Sequence, residues 1–303
     1  MKLQDPIRAD LTAHGSIGFQ PYFLREQGYA GRNLVRTFAD ACERRKIGIC
    51  AVVSQADDMN APYQDRFAIL REQARTLHPL GYTITKRGDN LLRVEKRTSP
   101  ENSPRKLTYL LNAQSVVMRE EDEKLSLTVI GTNQAPNGLS HHETMKWCRD
   151  HPEFIYLAEH PFKEGSPRGV GRDRFLEHKE VYDGIDFDPQ LAIPDWMTYL
   201  PAVGKALKGY RRELNECARE LTWESNVPLV PGSNAHRFED IGIAHIEVSE
   251  AALNYTRDAT LVASLKTALR AGTFNAYYAY ESLPAWFSWT RKFKRGLQRK
   301  SDE

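Results

Sequence analysis

Residues 227–236 read Val-Pro-Leu-Val-Pro-Gly-Ser-Asn-Ala-His, an apolar run that ends in a glycine-led polar turn carrying a histidine. The same arrangement occurs twice more. Asp10-Leu11-Thr12-Ala13-His14 closes a stretch near the N-terminus, and Ala158-Glu159-His160-Pro161 follows an apolar run at 154–158. Short apolar runs bounded by turn residues read as buried strands. Polar clusters just past the C-terminal ends of such strands are where α/β barrels build their active face. His14, His160 and His236 are therefore the leading candidates for chemistry.

The rest of the chain supplies the matching elements. Leu34, Val35, Phe38, Ala41 and Cys42 recur at helical spacing across 33–45, and Ile47–Val53 is a continuous apolar strand. A helix is expected over 62–77. Thr83–Lys86 and Leu91–Glu95 flank Arg87-Gly88-Asp89-Asn90 as a hairpin, followed by a polar loop over 97–106. Strands are expected at 107–117 and 125–131, a helix at 141–150, strands at 154–158 and 184–187, and a long helix within 197–222. A final amphipathic helix over 258–271 ends at Gly272, in the C′ position. This β-then-α order predicts a parallel sheet, open or closed into a barrel. No composition shift divides residues 1–285, so they read as one domain with an excursion at 83–106, followed by a tail at 286–303.

Composition narrows the class. The chain has 303 residues, 41% of them hydrophobic and 27% charged, enough to bury a core without covalent staples. No apolar run approaches membrane-spanning length. The N-terminal stretch lacks the apolar core of a signal peptide, so a cytoplasmic location is expected. Cys42, Cys50, Cys148 and Cys217 are widely spaced and read as reduced thiols. The overall charge of +2 hides an asymmetry: residues 291–303 carry six basic side chains against two acidic, a local +4.

The three histidine-bearing segments, in this order, resemble the PHP (polymerase and histidinol phosphatase) family. That family opens with Asp-Leu-His-x-His, carries a His-Pro after a middle strand and closes with Gly-Ser-Asp-Ala-His. Here the corresponding stretches are DLTAH (10–14), AEHP (158–161) and GSNAH (232–236), and SLKTALRAGTFNA (264–276) is similar to the family's closing helix and strand. The resemblance spans roughly residues 8–280. It implies a distorted (β/α)7 TIM-like barrel with a site on its C-terminal face. Enzymes of the family hydrolyse phosphoesters there with up to three clustered divalent metals.

Matched position by position, the ligand set departs from that pattern. Thr12 stands where the first histidine belongs, Gln20 and Gln55-Ala56 replace further ligands, and Gln114 replaces a bridging glutamate. Ser126 or Leu127 replaces a histidine, and Asn234 an aspartate. Amides in place of carboxylates remove the negative charge that holds several cations together. An intact trinuclear centre is therefore not expected. Two arrangements remain open. His14, His160 and His236 could hold a single Zn or Mn ion, although the family assigns them to different metal positions. Alternatively, with no cofactor, His14, His160, Asn234, His236 and Arg237 could form a phosphate-binding pocket.

Blander readings stand beside these. The histidines could be inherited core residues, Asp10 a strand-end residue, His141-His142 a solvated first helical turn, and Asp57-Asp58 a turn. If Glu159 and His160 both lay within a strand, only one could face the site. The tail alternates aromatics with Arg291, Lys292, Lys294, Arg295, Arg299 and Lys300, a nucleic-acid-binding composition; the alternative is that its aromatics dock on the barrel. Three functional classes follow: a phosphate- or nucleic-acid-binding or assembly component with an eroded metal centre and no catalysis confidently assigned, a mononuclear metal-dependent phosphoesterase, and a purely structural subunit with a protein partner.

Overall fold

The computed structural model describes residues 6–14, 31–55, 66–77, 81–96, 106–121, 123–163, 169–190, 193–194, 197, 199, 210–280, 282–284 and 287. Gln20, Ala56, Asp57-Asp58, the 97–105 loop, the side chain of Gln55 and the basic tail at 291–303 lie outside the described residues.

Eleven strands form one sheet: β1 (Pro6–His14), β2 (Ile47–Gln55), β3 (Tyr82–Lys86), β4 (Leu91–Lys96), β5 (Lys106–Glu120), β6 (Glu123–Ile130), β7 (Ile155–Ala158), β8 (Gly184–Phe187), β9 (Leu229–Pro231), β10 (His245–Ser249) and β11 (Phe274–Tyr277). Their order is β11-β10-β1-β2-β5-β6-β7-β8-β9, with the β3–β4 hairpin added beside the first half of β5. The path curls into a nearly closed barrel. The turn after β9 bonds across to β1: Ser233 N–H donates to Asp10 Oδ1 (2.9 Å) and Asn234 N–H to Thr12 Oγ1 (3.2 Å).

The hairpin expected at 83–95 is present as antiparallel β3–β4, but the parallel sheet expected of the remaining strands is corrected. The pairs β1/β2, β2/β5, β7/β8 and β8/β9 are parallel. However, β6 runs antiparallel to both β5 and β7, and β10 antiparallel to β1 and β11. Only two residues separate β5 from β6, too few for the crossover that a parallel pair requires.

Among the described residues, six α-helices pack on this sheet: α1 (Leu34–Arg45), α2 (Arg66–Ala74), α3 (His141–Asp150), α4 (Arg172–Glu177), α5 (Glu213–Ser225) and α6 (Asp258–Arg270). None is long and apolar enough to cross a membrane among the described residues. Of the span expected to hold a long helix, 197–222, residues 213–222 belong to α5; Arg211, just before it, forms an isolated parallel bridge with Ile193, and residues 198 and 200–209 lie outside the described residues.

The barrel interior is filled by Ala9, Leu11, Ile49, Ala51, Leu111, Leu157, Val230 and Ile246, against which α6 places Leu261, Leu265 and Leu269. Helix α6 thus covers the end of the barrel opposite the histidine-bearing strand ends. It is pinned by Asp183, a fully buried carboxylate just before β8. Asp183 accepts from Tyr156 N–H (2.9 Å) and Arg270 Nε, and pairs with Lys266 (3.2 Å). Outer layers pack α1 and α2 on β2–β5, and α3–α5 on β5–β8.

His141 is not the solvated residue its position suggests. Ser140 and Glu143 form a capping box at the start of α3, and His142 is exposed. His141 turns inward, 4% exposed, with Nε2 3.5 Å from Tyr182 Oη and its ring 5.2 Å from that of His178. Burial first, and the neighbouring His178 second, push its pKa down to about 4.

Two outcomes follow. Asp183→Asn leaves Lys266 and Arg270 without their counter-charge and should lower the urea-unfolding free energy by about 3 kcal/mol. Because His141 is neutral when folded and protonates more readily when unfolded, it stabilises the fold above about pH 6.5, the unfolded imidazole pKa, and that contribution is lost as pH falls toward 4. Unfolding free energies of a His141→Gln variant should therefore decline less steeply across that window.

Candidate metal centre

Local backbone irregularities bring the key side chains together. Ala9 and Leu11 of β1 point into the barrel, so simple alternation would send His14 outward. The β1/β2 register shifts between Asp10 and Ala13, however, with three steps on β1 facing two on β2. This bulge turns Ala13 to the outer layer and His14 into the barrel mouth. Asp10 is the brace that the sequence suggests rather than a ligand. Fully buried, it accepts from Ser233 N–H and Gly242 N–H (2.8 Å) and, more weakly, Thr12 N–H (3.3 Å). Burial raises its pKa against these hydrogen bonds.

Glu159 and His160 both face the site. Strand β7 ends at Ala158, and His160 has φ +42°, so the two neighbours escape strand alternation. The turn they start is tight: Lys163 N–H donates to His160 O (2.8 Å), and a Cβ on Gly169 would lie 2.1 Å from that same carbonyl, so only glycine fits there.

Glu159 Oε2 is occupied by Ser115 Oγ (2.7 Å) and Thr128 Oγ1 (3.1 Å). Its other oxygen, Oε1, faces His14 Nε2 at 3.7 Å and His160 Nε2 at 3.8 Å. One donor atom from each of His14, Glu159 and His160 lies within 4.8 Å of the others. Both ring nitrogens of His14 are buried without a hydrogen-bond partner.

Behind His160 stand two further acids. Its Nδ1 lies 2.8 Å from Asp186 Oδ2 and 3.6 Å from Asp188 Oδ2, both residues being buried. A carboxylate on one imidazole nitrogen fixes the tautomer and presents the other nitrogen as a ligand, an arrangement that recurs behind metal-bound histidines. Asp188 is itself held: its N–H donates to Asn215 Oδ1 (3.1 Å), and its Oδ1 accepts from Gln190 N–H (2.8 Å).

His236 joins the cluster, its ring 5.3 Å from that of His14, which in turn is 6.5 Å from that of His160. All three histidines therefore converge. Asn234, at φ +44°, keeps Oδ1 buried without a hydrogen-bond partner, while its carbonyl accepts from Gln190 Nε2 (2.7 Å). Thr12 packs against Gly232, where a Cβ would meet its Oγ1 at 1.9 Å, so it supports the turn rather than the pocket. Arg237 forms a two-pronged pair with Asp240 (2.6 Å to each oxygen), which takes up the charge expected to make the pocket positive.

The carboxylate-poor site expected from the sequence is thus corrected: Glu159, Asp186 and Asp188 all stand beside the imidazoles. Two matched positions shift as well. Gln114 turns away to the backbone of Ala135 (2.8 Å), and its neighbour Ser115 reaches the site instead. On β6, Leu127 packs in the outer layer and Thr128, not Ser126 or Leu127, touches Glu159.

The electrostatics follow from burial in a crowded pocket. Burial pushes His14 down to about 4 and lowers His236 strongly, with His14 adding to the latter. Burial lifts Asp186 to about 6. For His160, burial is outweighed by Asp188 and Asp186, and its pKa rises. Glu159 is held below its ordinary value by the imidazoles and Ser115 against the opposing effect of burial. Glu159, Asp186 and Asp188 thus crowd a pocket in which burial holds His14 and His236 toward the neutral form, a balance that favours a cation over an anion.

No family model matches this chain, and no curated protein matches it. Among solved structures, the crystal structure of PsfC from Pseudomonas syringae PB-5123 is similar, with a TM-score of 0.54 over 97% of this chain and 100% of that one, at 11% sequence identity. At that identity the likeness bears on the fold alone.

Asp186→Asn keeps the shape behind His160 but weakens its orientation, and should reduce zinc affinity about tenfold, measured by competition with a chromogenic chelator. Undiminished affinity would mean that Asp186 does not position His160 for an ion.

Proposed function

We propose that this chain is a metal-dependent phosphoesterase on a PHP-like, distorted TIM-type barrel, with a reduced site for one zinc or manganese ion. The observation that carries the reading is the buried triad of His14, Glu159 and His160, whose donor atoms converge within 4.8 Å while both nitrogens of His14 lack hydrogen-bond partners. Two imidazoles and one carboxylate suit a catalytic ion that keeps an open position. Such an ion, when bound, lowers the pKa of a coordinated water and polarises a phosphoryl oxygen.

The chain's own residues supply the remainder. Ser115 and Thr128 hold Glu159 so that a single oxygen serves the site, and Asp186 orients His160. Lys163, on the turn beside His160, offers a positive charge for an anionic substrate group. His236 stands alongside as a neutral ring. A metal-free phosphate pocket fits less well, because Glu159, Asp186 and Asp188 would repel the anion. The buried or partly buried thiols Cys42, Cys50, Cys148 and Cys217 are unbridged, in keeping with a cytoplasmic setting.

The test uses the full chain, stripped with chelator and reloaded with zinc or manganese, acting on p-nitrophenyl phosphate and bis(p-nitrophenyl) phosphate. Metal-dependent turnover should appear and fall about 100-fold in Glu159→Gln. Lys163→Met should raise KM more than it lowers kcat, as expected for a lost binding contact. Absence of turnover with either metal on both substrates would overturn the reading.

A further inference from the structure

A second site lies on the outer wall of the barrel, apart from the imidazole cluster. A cavity of about 600 Å³ opens between the N-terminal half of β1, the C-terminal end of α1 and the start of β10. Four cationic side chains line it: Arg8, and the consecutive Arg44, Arg45 and Lys46, the last three exposed.

The acids nearby are engaged. Asp240 forms the two-pronged pair with Arg237, and Glu247 pairs with Arg8 at 3.1 Å. The carbonyl end of α1, which would repel an anion, is also covered. Lys46 adopts a left-handed cap whose N–H bonds back to Cys42 and Glu43, and Arg8 Nη1 reaches Arg45 O at 3.4 Å.

An independent observation points to a ligand. His245 lines the same cavity and is 9% exposed. Its Nδ1 lies 3.2 Å from Gly242 O, an acceptor, so Nδ1 carries the hydrogen. Its Nε2 is buried with no hydrogen-bond partner. An orphaned buried nitrogen is costly unless a ligand engages it; burial lowers the ring's pKa, so in the neutral ring Nε2 is an acceptor for a hydroxyl or N–H group of a ligand whose anionic part meets the cations.

We propose that this cavity binds the polyphosphate group of a small molecule, such as a nucleoside triphosphate. A single phosphate cannot engage cations spread around a cavity of this size, whereas a chain of two or three can meet several at once. The site also has a path inward. Gly242 accepts from His245 through its carbonyl and donates through its N–H to Asp10, which holds the Ser233 turn leading to Asn234 and His236. Occupancy can thereby bear on the barrel mouth, although binding itself does not depend on the proposed phosphoesterase activity.

The experiment is calorimetric titration of the full chain, without added metal, using ATP, tripolyphosphate and a short DNA duplex in separate arms. Tripolyphosphate and ATP should both bind. Arg44→Glu/Arg45→Glu, which alters only exposed side chains, should weaken both about tenfold or more, with folding checked by circular dichroism. His236→Ala should leave both within about twofold, a change too small to reflect a lost charged contact. The proposal is overturned if neither probe binds, if ATP binds and tripolyphosphate does not, or if the duplex binds more tightly than both. It is equally overturned if His236→Ala abolishes binding while the arginine variant retains it, since the anion would then occupy the imidazole cluster.

Discussion

A carboxylate with no access to water must be compensated, and Glu159 is the residue on which this barrel's mouth depends. One of its oxygens takes two hydroxyl hydrogen bonds, from Ser115 on β5 and Thr128 on β6. The other stands between His14 from β1 and His160 beyond β7. Four separate segments of the sheet thus converge on one side chain. The compensation is incomplete by design of the surroundings, because Asp186 and Asp188 add negative charge behind His160 while burial keeps His14 and His236 neutral. A divalent cation would complete it. Under the proposed function, the pocket would then draw part of its stability from a charge that it does not itself contain, unlike a packed hydrophobic core.

The scaffold keeps that arrangement rigid by placing its two structural carboxylates elsewhere. Asp10 ties the last turn of the barrel to the first strand and draws in Gly242. Asp183 fastens α6 across the opposite end. The site therefore sits at one end of a nearly closed barrel of strands, above a plugged, apolar interior. Small irregularities, namely the bulge in β1 and the left-handed backbone at His160 and Asn234, do the final aiming.

Much of this was legible in the sequence, for physical reasons. The start of α3 is set by the Ser140–Glu143 capping box, the β3–β4 hairpin by Gly88 in its turn, and the end of α6 by Gly272 at φ +62°. The three histidines stood out because each follows an apolar run. What stayed hidden depended on backbone geometry or distant partners. Strand alternation seemed to exclude either Glu159 or His160, and the left-handed His160 removes that restriction. Asp186 and Asp188 sit in Gly-Ile-Asp-Phe-Asp, where nothing in the local pattern marks them as partners of His160, 26 and 28 residues earlier. Ser115 and Thr128 are ordinary strand hydroxyls, recognisable only once the sheet register is known. The antiparallel course of β6 and β10 was missed, unlike that of the β3–β4 hairpin, because alternating β and α segments were read as βα units, although the short β5–β6 link argued otherwise.

The most direct test is anomalous diffraction from crystals grown with zinc, collected on both sides of its absorption edge. A single anomalous peak within coordination distance of His14, Glu159 and His160, at about 2.0–2.2 Å from their donor atoms, is the predicted result. No peak there, or two or more peaks bridged by Glu159 and Asp186, would contradict the single-ion centre.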